Sequence, residues 1–297
     1  MKASLPVITA GKEAFTAFGE VWAAEPWHWG GPGPAAVGSA CRWGSPAAKP
    51  LSQASEPERN WGPSKCRDAR TGSRRLAAVP EPTVDDVLAE LAVLEDPKAR
   101  AINEKHGDDH GVNLGKLRAI AKRLKTQQDL ARELWRTGDT AAKLLATLIC
   151  RPKAFERDEL DAMLRTARTP KVHDWLVNYV VKKSPHAEDL RRTWFTDPDP
   201  VVASAGWALT TDRVAEHPDD LDRLLDTIEK ELKDAPDRLQ WAMNHCLAQI
   251  GIEHETHRAR AIEIGERLEV LKDYPTPPNC TSPFAPVWIA EIVRRRG

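Results

Sequence analysis

A carboxylate, Asp174, interrupts an apolar stretch of the chain. The segment TPKVHDWLVNYVVKK (169–183) is almost wholly apolar from Val172 to Val181 and predicts a buried helix with Asp174 near its start. Such a carboxylate either pairs with a cation, favours the positive end of the helix dipole, or is held in place for chemistry. His173 is a candidate general base, but its side chain should point about 100° around the helix from Asp174, so we predict a packing role.

A second cluster of chemically capable residues predicts no metal site. The stretch IEHETHRAR (252–260) places His254 and His257 at i, i+3 beside Glu253 and Glu255, but no third convergent ligand is apparent. The five cysteines are scattered without C-x-x-C pairing, which is untypical of a zinc site or a disulfide framework. We therefore expect no metal and no cofactor.

The elements that would position Asp174 are helices. From Pro80 onward apolar residues recur at helical spacing with short breaks, which predicts roughly a dozen helices and no convincing strand pair. In TVDDVLAELAVL, Thr83 is the expected N-cap. Helices with one apolar face joined by short turns suit a bundle or a stack of helix pairs. Tryptophan and small residues in RRTWFTDPDPVVASAGWALT and RLQWAMNHCLAQIGI favour an all-α solenoid.

The first 80 residues have a different composition. Nine Gly, nine Pro and seven Ser leave no helical or strand period, which predicts a disordered tail (1–80) before a folded domain (81–297). Five tryptophans in the tail leave open a role as stacking or peptide-binding anchors. The N-terminal MKASLPVITAGKEAF lacks the apolar core and cleavage site of a secretory signal, and no run approaches a membrane span, so we expect a cytoplasmic protein.

The charge is unevenly distributed along the domain. Residues 81–297 carry 33 basic and 38 acidic side chains, which argues against unspecific nucleic-acid binding. The stretch 114–153 nevertheless holds ten basic residues and only three acidic ones, and this asymmetry can give a solenoid one basic face. An ordinary solvated helix face remains the alternative. The candidate contacts to a phosphate backbone are Lys116, Arg118, Lys122, Arg123 and Lys125.

Several linked segments resemble a known family. GVNLGKLRAIAKRLK (111–125), LARELWRTGDTAAKLLATLI (130–149), VHDWL (172–176) and LQWAMNHCLAQIGI (239–252) are similar, in order and spacing, to the DNA alkylation repair family. These are the AlkD-like 3-methyladenine DNA glycosylases, which are built of HEAT-like repeats. The resemblance covers most of residues 83–270, and the C-terminal CTSPFAPVWIAEIVRR looks like a feature of one branch.

The resemblance implies a specific activity. A HEAT-like basic surface would cradle duplex DNA containing alkylated purines, and the protein, expected to be a monomer, would hydrolyse the N-glycosidic bond of cationic alkylpurines. The family's catalytic carboxylate falls on Asp174 of VHDWL. Because the alkylated base is already a cationic leaving group, a fixed carboxylate would stabilise positive charge on the sugar and orient the attacking water.

Other family site positions are altered in this chain. Tryptophans of the pattern align with Pro170 and His245, and arginines align with Ser204 and Ala248. Possible aromatic contacts in their place are Trp175, Trp207, Trp241 and His245. A non-catalytic HEAT-like scaffold that binds DNA or a protein therefore stays open. A surface shared by the basic residues and Asp174 would favour the enzyme, whereas a core arginine facing Asp174 would favour the scaffold.

Overall fold

The computed structural model describes residues 82–216, 220–278 and 280–296, so the predicted tail (1–80) lies outside the described residues. In these ranges the chain forms α-helices and no strand beyond one isolated bridge between Glu95 and Val112, which confirms the all-α prediction. The thirteen helices of the described ranges are α1 Val84–Val93, α2 Pro97–Glu104, α3 Leu114–Leu124, α4 Gln128–Arg136, α5 Thr140–Ile149, α6 Arg157–Thr166, α7 Pro170–Trp175, α8 Ala187–Phe195, α9 Pro200–Thr211, α10 Leu221–Glu231, α11 Asp237–Glu253, α12 Glu255–Leu268 and α13 Ala285–Arg296.

Polar side chains fix where many of these helices begin. Thr83 caps α1 as predicted: its hydroxyl accepts from the backbone N of Asp86 at 3.2 Å, and the Asp86 carboxylate accepts from the backbone N of Thr83 at 3.0 Å. Asn113, Asp139 and Asp199 accept hydrogen bonds from the first turns of α3, α5 and α9 in the same way. Local sequence therefore sets the helix boundaries.

Helices α3 to α9, together with α11, form two layers. Helices α4, α6 and α8, the even layer, are joined by ion pairs from Arg132 to Glu159 and from Arg157 to Asp189, each 2.8 Å long. Helices α3, α5, α7, α9 and α11, the odd layer, pack on one another through apolar side chains. Each even helix lies beside an odd helix, which is the arrangement of stacked helix pairs.

Helix α9 is the centre of the core. Its sequence PVVASAGWALTT is nearly free of charge, and it is buried on both sides, so Val202 and Leu209 face one hydrophobic cluster and Trp207 faces the other. A Cβ on Gly206 would lie 2.4 Å from the backbone N of Phe195, so only glycine allows α8 to approach this closely. The close packing fixes the helices on either side of α9.

The C-terminal helix α13 closes the stack. It packs on α11 and α12, where Cβ atoms on Gly251 and Gly265 would lie 2.5 and 2.7 Å from Ile289 and Pro286. The buried amide of Asn244 donates to the carbonyl of Pro283 at 2.8 Å and fixes the preceding segment. No helix in the described part of the chain is both long and apolar enough to cross a membrane.

Candidate functional site

Asp174 lies at the end of a short helix that changes its winding. Helix α7 ends at Trp175, and the chain continues as a π turn over Leu176–Val180 and a 3₁₀ turn over Val181–Lys183, so the prediction of one regular helix is wrong for the second half. The wider π turn redirects the side chains that follow it, and such turns are frequent at functional sites. The start of α7 is held by Asp108, whose Oδ1 accepts from the backbone N of Lys171 at 3.0 Å.

The Asp174 carboxylate pairs with an arginine from a distant helix. Arg238, in the first turn of α11, donates from Nη2 to Asp174 Oδ1 at 3.0 Å and to the carbonyl of Pro170 at 3.1 Å. His173 Nδ1 lies 3.2 Å from the same Oδ1. The side chains of Asp174 and Arg238 keep 21% and 15% of their exposure, so this is a half-buried pair at a surface and not a core pair.

The environment favours an ionised carboxylate. Burial opposes the charge of Asp174, but Arg238 and His173 outweigh burial, and the pKa of Asp174 lies below its ordinary value. Burial, followed by the charge of Arg238, lowers the pKa of His173. A neutral imidazole carries one N–H, so His173 can donate to Asp174 or to the Val201 carbonyl, 3.0 Å from Nε2, but not to both.

His173 is buried at 3% exposure, as its predicted packing role requires, but it was wrong to expect its ring away from Asp174. A Cβ offset of about 100° still allows the imidazole to reach the neighbouring carboxylate. Contacts to a backbone carbonyl and to Asp174 make His173 a positioning residue for that carboxylate.

A cation and a second aromatic ring contact Trp175, the residue that follows Asp174. The guanidinium of Arg118 lies over the Trp175 ring, 5.5 Å from its centroid, and Tyr179 meets the same ring edge-on at 5.3 Å. Lys183 in turn lies 5.5 Å from the Tyr179 centroid. Trp175 itself is only 5% exposed, so it supports Arg118 and offers little surface to a ligand.

The five predicted phosphate contacts divide between two sides of α3. The buried stripe Leu117, Ile120 and Leu124 faces the core. At 100° per residue, Arg118 projects on one flank of this stripe and Lys122 on the side away from it. We call these two, together with Lys125, the C-cap that follows α3, the Trp175-side cations, after the ring that Arg118 contacts. Lys116 and Arg123 project on the opposite flank, where Arg123 pairs with Glu90 of α1, and we call them the Glu90-side cations. One helix therefore presents these charges on different sides of its buried stripe, and the role of all five in contacting DNA stays a prediction.

Two of the predicted aromatic contacts belong to the core. Trp207 is 3% exposed, and its ring packs against Phe195 at 4.5 Å between centroids. Trp241 is 5% exposed and meets Tyr274 edge-on at 5.2 Å. The structure thus removes Trp207 from the candidate site, because α9 is covered on both sides, and leaves Trp241 little surface.

His245 is partly buried and lies on the same face of α11 as Arg238. Seven residues separate the two, which places them on one stripe about 10 Å apart. The His245 ring stacks on Trp288 of α13, with centroids 5.1 Å apart and planes 5° from parallel. Burial and the nearby charge of Lys182 lower the pKa of His245 to about 4, so the ring is neutral at neutral pH.

The segment after α7 runs alongside α9 and α11. His173 in α7 contacts the Val201 carbonyl at the start of α9 at 3.0 Å, and Lys182, near the end of the following turns, contacts the carboxylate of Asp212 at the end of α9 at 2.6 Å. Asp174 and Lys182 lie close to Arg238 and His245 in the same order. The three odd-layer segments therefore run in the same direction, and we call the surface that carries Asp174, Lys182, Arg238 and His245 the Asp174 face.

Some features of this face were missed by sequence reasoning. Arg238 and Trp288 were not among the predicted site residues, although the seven-residue spacing from Arg238 to His245 was a readable signal. Ser204 and Ala248, at positions where the family pattern has arginines, are 2% and 0% exposed and turned into the core. Among the residues that the structure describes, no group of three or more potential metal ligands converges.

Fold and site together define a class: an α-helical repeat protein with cations and an anchored carboxylate on its odd layer. A family model for DNA alkylation repair enzymes matches residues 87–288, and the chain belongs to that family. A solved structure matches with a TM-score of 0.58 and 24% identity, over 72% of this chain and 95% of its own. It is described as "a new family of proteins related to the HEAT-like repeat DNA glycosylases with affinity for branched DNA structures", and the likeness confirms the HEAT-like repeat fold. A search of the curated proteins found no match.

Proposed function

We propose that this protein binds damaged duplex DNA on its Asp174 face and hydrolyses the N-glycosidic bond of cationic alkylpurines of the 3-methyladenine and 7-methylguanine type. Membership of the DNA alkylation repair family supports action on DNA. The observation that carries the catalytic part is the geometry of Asp174. Both of its recorded contacts fall on Oδ1, and among the described residues no donor reaches Oδ2.

This geometry suits a reaction in which the sugar becomes positively charged. The leaving base is already cationic, so no general acid is required, and the group that helps is a fixed anion near the developing oxocarbenium ion. Arg238 and His173 hold Oδ1, while Oδ2 is left to face the sugar or to orient the attacking water. The lowered pKa keeps Asp174 ionised at neutral pH, as this role demands.

The same arrangement limits the size of the effect. Arg238, 3.0 Å from Asp174, offsets part of the carboxylate charge, and the pair stays partly exposed, where screening by water weakens its field. We therefore expect Asp174 to contribute through position as well as through charge. The Trp175-side cations are the proposed contacts to the DNA backbone, since Arg118 lies over the ring of Trp175, which follows Asp174 in α7.

A second candidate is a DNA-binding protein without glycosylase activity. The observation that favours it is the Arg238 pair, which gives Asp174 a structural partner. The structural neighbour's description names affinity for branched DNA, so the second proposal specifies branched or otherwise distorted DNA as the ligand. In either case we propose a monomer that acts in the cytoplasm.

One experiment separates the two candidates. The purified full chain is incubated with alkylated duplex DNA, and free 7-methylguanine and 3-methyladenine are measured by chromatography, with binding to the same duplex and to a four-way junction measured in parallel. Release of free base supports the glycosylase. Binding without any release supports the second candidate, and absence of binding to either DNA contradicts both.

A further inference from the structure

A cluster of arginines surrounds a cavity on another part of the molecule. The cavity has a volume of about 220 Å³ and lies between α8, the C-terminal end of α9 and the start of α10. Its charged lining residues are Glu188, Arg191, Arg192, Arg213, Asp220 and Arg223. Thr210, also in the lining, is nine residues beyond Val201, the contact of His173, and so lies about 14 Å along α9 from the Asp174 end.

One carboxylate organises three of the four arginines. Glu188 accepts from Nε and Nη2 of Arg191 at 2.9 and 2.8 Å, from Nε of Arg192 at 2.8 Å and from Nη1 of Arg213 at 2.9 Å. These hydrogen bonds, first of all that of Arg191, lower the pKa of Glu188 to about 2. The carboxylate is therefore ionised at neutral pH, and it holds three guanidinium groups around the cavity.

The described lining residues carry an excess of positive charge. Four guanidinium groups stand against two carboxylates, Glu188 and Asp220, among the described lining residues. Arg192 donates to Glu188 through Nε, and within the described part of the chain its outer nitrogens make no recorded hydrogen bond. Arg223 pairs with Asp220 at 3.2 Å through Nη2. Because the side chains of Arg192 and Arg223 are 72% and 64% exposed, they can adjust to a ligand at the mouth.

The apolar walls of the cavity strengthen its binding of an anion. Phe195, Val214 and Leu224 form the apolar part of the lining, so an anion held among the guanidinium groups is partly removed from water. Arginine forks match the oxygen geometry of phosphate and make charge-assisted hydrogen bonds to it. A doubly charged anion would balance the two excess positive charges of the described lining residues, whereas the single charge of a phosphodiester would leave one of them unbalanced.

We propose that this cavity binds a phosphate monoester dianion, with Arg192, Arg213 and Arg223 donating to its oxygens and Glu188 holding the arginines in place. The same chemistry belongs to a free phosphate, to a mononucleotide and to the 5′-phosphate end of a DNA strand. The site shares no residue with the Asp174 face, so it does not depend on the proposed glycosylase.

Calorimetric titration of the full chain with inorganic phosphate, in chloride buffer of constant ionic strength, tests the proposal. We expect saturable binding, weakened about tenfold by Arg192→Gln and about tenfold by Arg223→Gln, because each removes a hydrogen bond to a charged group. The matched control is Arg294→Gln, since Arg294 is 71% exposed and likewise paired with a glutamate, Glu291. No saturable binding, or equal binding by the wild type and both cavity variants, would overturn the proposal.

Two further ligands identify the source of the phosphate. A 5′-phosphorylated single-stranded oligonucleotide that binds at least tenfold more tightly than inorganic phosphate, and loses that gain in Arg192→Gln, indicates a DNA strand end. Equal affinity for inorganic phosphate and the oligonucleotide indicates a small free phosphate. A 5′-hydroxyl oligonucleotide that binds as tightly as the phosphorylated one, with the same dependence on Arg192, contradicts the preference for a monoester. Asp174→Asn should leave all of these affinities unchanged.

Discussion

The substitution Asp174→Asn separates the chemistry of the carboxylate from its role in packing. Asparagine keeps the shape of the side chain and an oxygen that can accept from Arg238, but it removes the negative charge. If Asp174 stabilises positive charge on the sugar, base excision should fall by about two to three powers of ten, the scale found when a preorganised electrostatic group is lost. Affinity for duplex DNA should stay within about twofold, because the proposed backbone contacts lie on α3.

The stability effect follows from the burial of the pair. A hydrogen bond to a charged group contributes about 1.5–3 kcal/mol, and breaking a fully buried ion pair costs about 3–5 kcal/mol. Because the side chains of Asp174 and Arg238 are 21% and 15% exposed, the loss of stability should fall in the lower of these two ranges. We expect a loss of about 2 kcal/mol and, at about 2–4 °C per kcal/mol for a domain of this size, a melting temperature lower by about 4–8 °C.

A matched control lies on the neighbouring helix. Asp212 pairs with Lys182 at 2.6 Å, and their side chains are 33% and 24% exposed, so Asp212→Asn removes a comparable pair from the same face. It should cost about 1–2 kcal/mol and leave excision per folded molecule unchanged. The assays are a thermal melt and the rate of free base release from alkylated DNA under single-turnover conditions.

The reasoning fails in two recognisable ways. Undiminished excision by a well-folded Asp174→Asn variant would end the catalytic role of this carboxylate. An equal loss of excision in Asp212→Asn would show that any damage to the face impairs the reaction, so that Asp174 has no special part. A wild-type protein that releases no base would direct attention to the second candidate, binding without catalysis.

Three further predictions concern charge, the tail and pH. Replacing Arg118 and Lys122 by Gln should weaken duplex binding and reduce, by about two, the magnitude of the slope of the logarithm of the DNA association constant against the logarithm of salt concentration. The same change in both Glu90-side cations should have little effect. Equal effects of the two double substitutions would refute the division of the α3 cations into two groups. A chain beginning at Pro80 should fold and keep its activity, because the tail lacks a periodic apolar face; loss of a cooperative melt would contradict this. Burial, followed by the charge of Lys171, lowers the pKa of His110 to about 4. His110 is therefore protonated below about pH 6.5 in the unfolded chain, but it stays neutral in the folded chain until the pH approaches 4. His110 should therefore lower the free energy of unfolding by about 2 kcal/mol as the pH falls from about 7.5 to 5. Denaturant titrations at the two pH values should show a decrease smaller by that amount in His110→Gln, and an unchanged decrease would contradict the assignment.

Much of the fold could be read from the sequence because the signals are local. Apolar periodicity predicts each helix from residues within three or four positions, and Thr83 forms the predicted cap with its own first turn. The order and spacing of GVNLGKLRAIAKRLK, VHDWL and LQWAMNHCLAQIGI were sufficient to indicate the family, which residues 87–288 confirm. The sequence also singled out Asp174, since a charge in an apolar helix stands out without any knowledge of its partners.

The partners of these residues were decided by tertiary structure alone. Arg238 reaches Asp174 across 64 residues, because the stacking of repeats brings α7 and the first turn of α11 together. The phase of α3 against its neighbours separates Arg118 from Arg123, and the covering of α9 on both sides places Trp207 in the core. Each of these outcomes depends on how one helix is rotated and placed against another. That rotation is set by close packing of side chains distant in sequence, for which a single helical period carries no information.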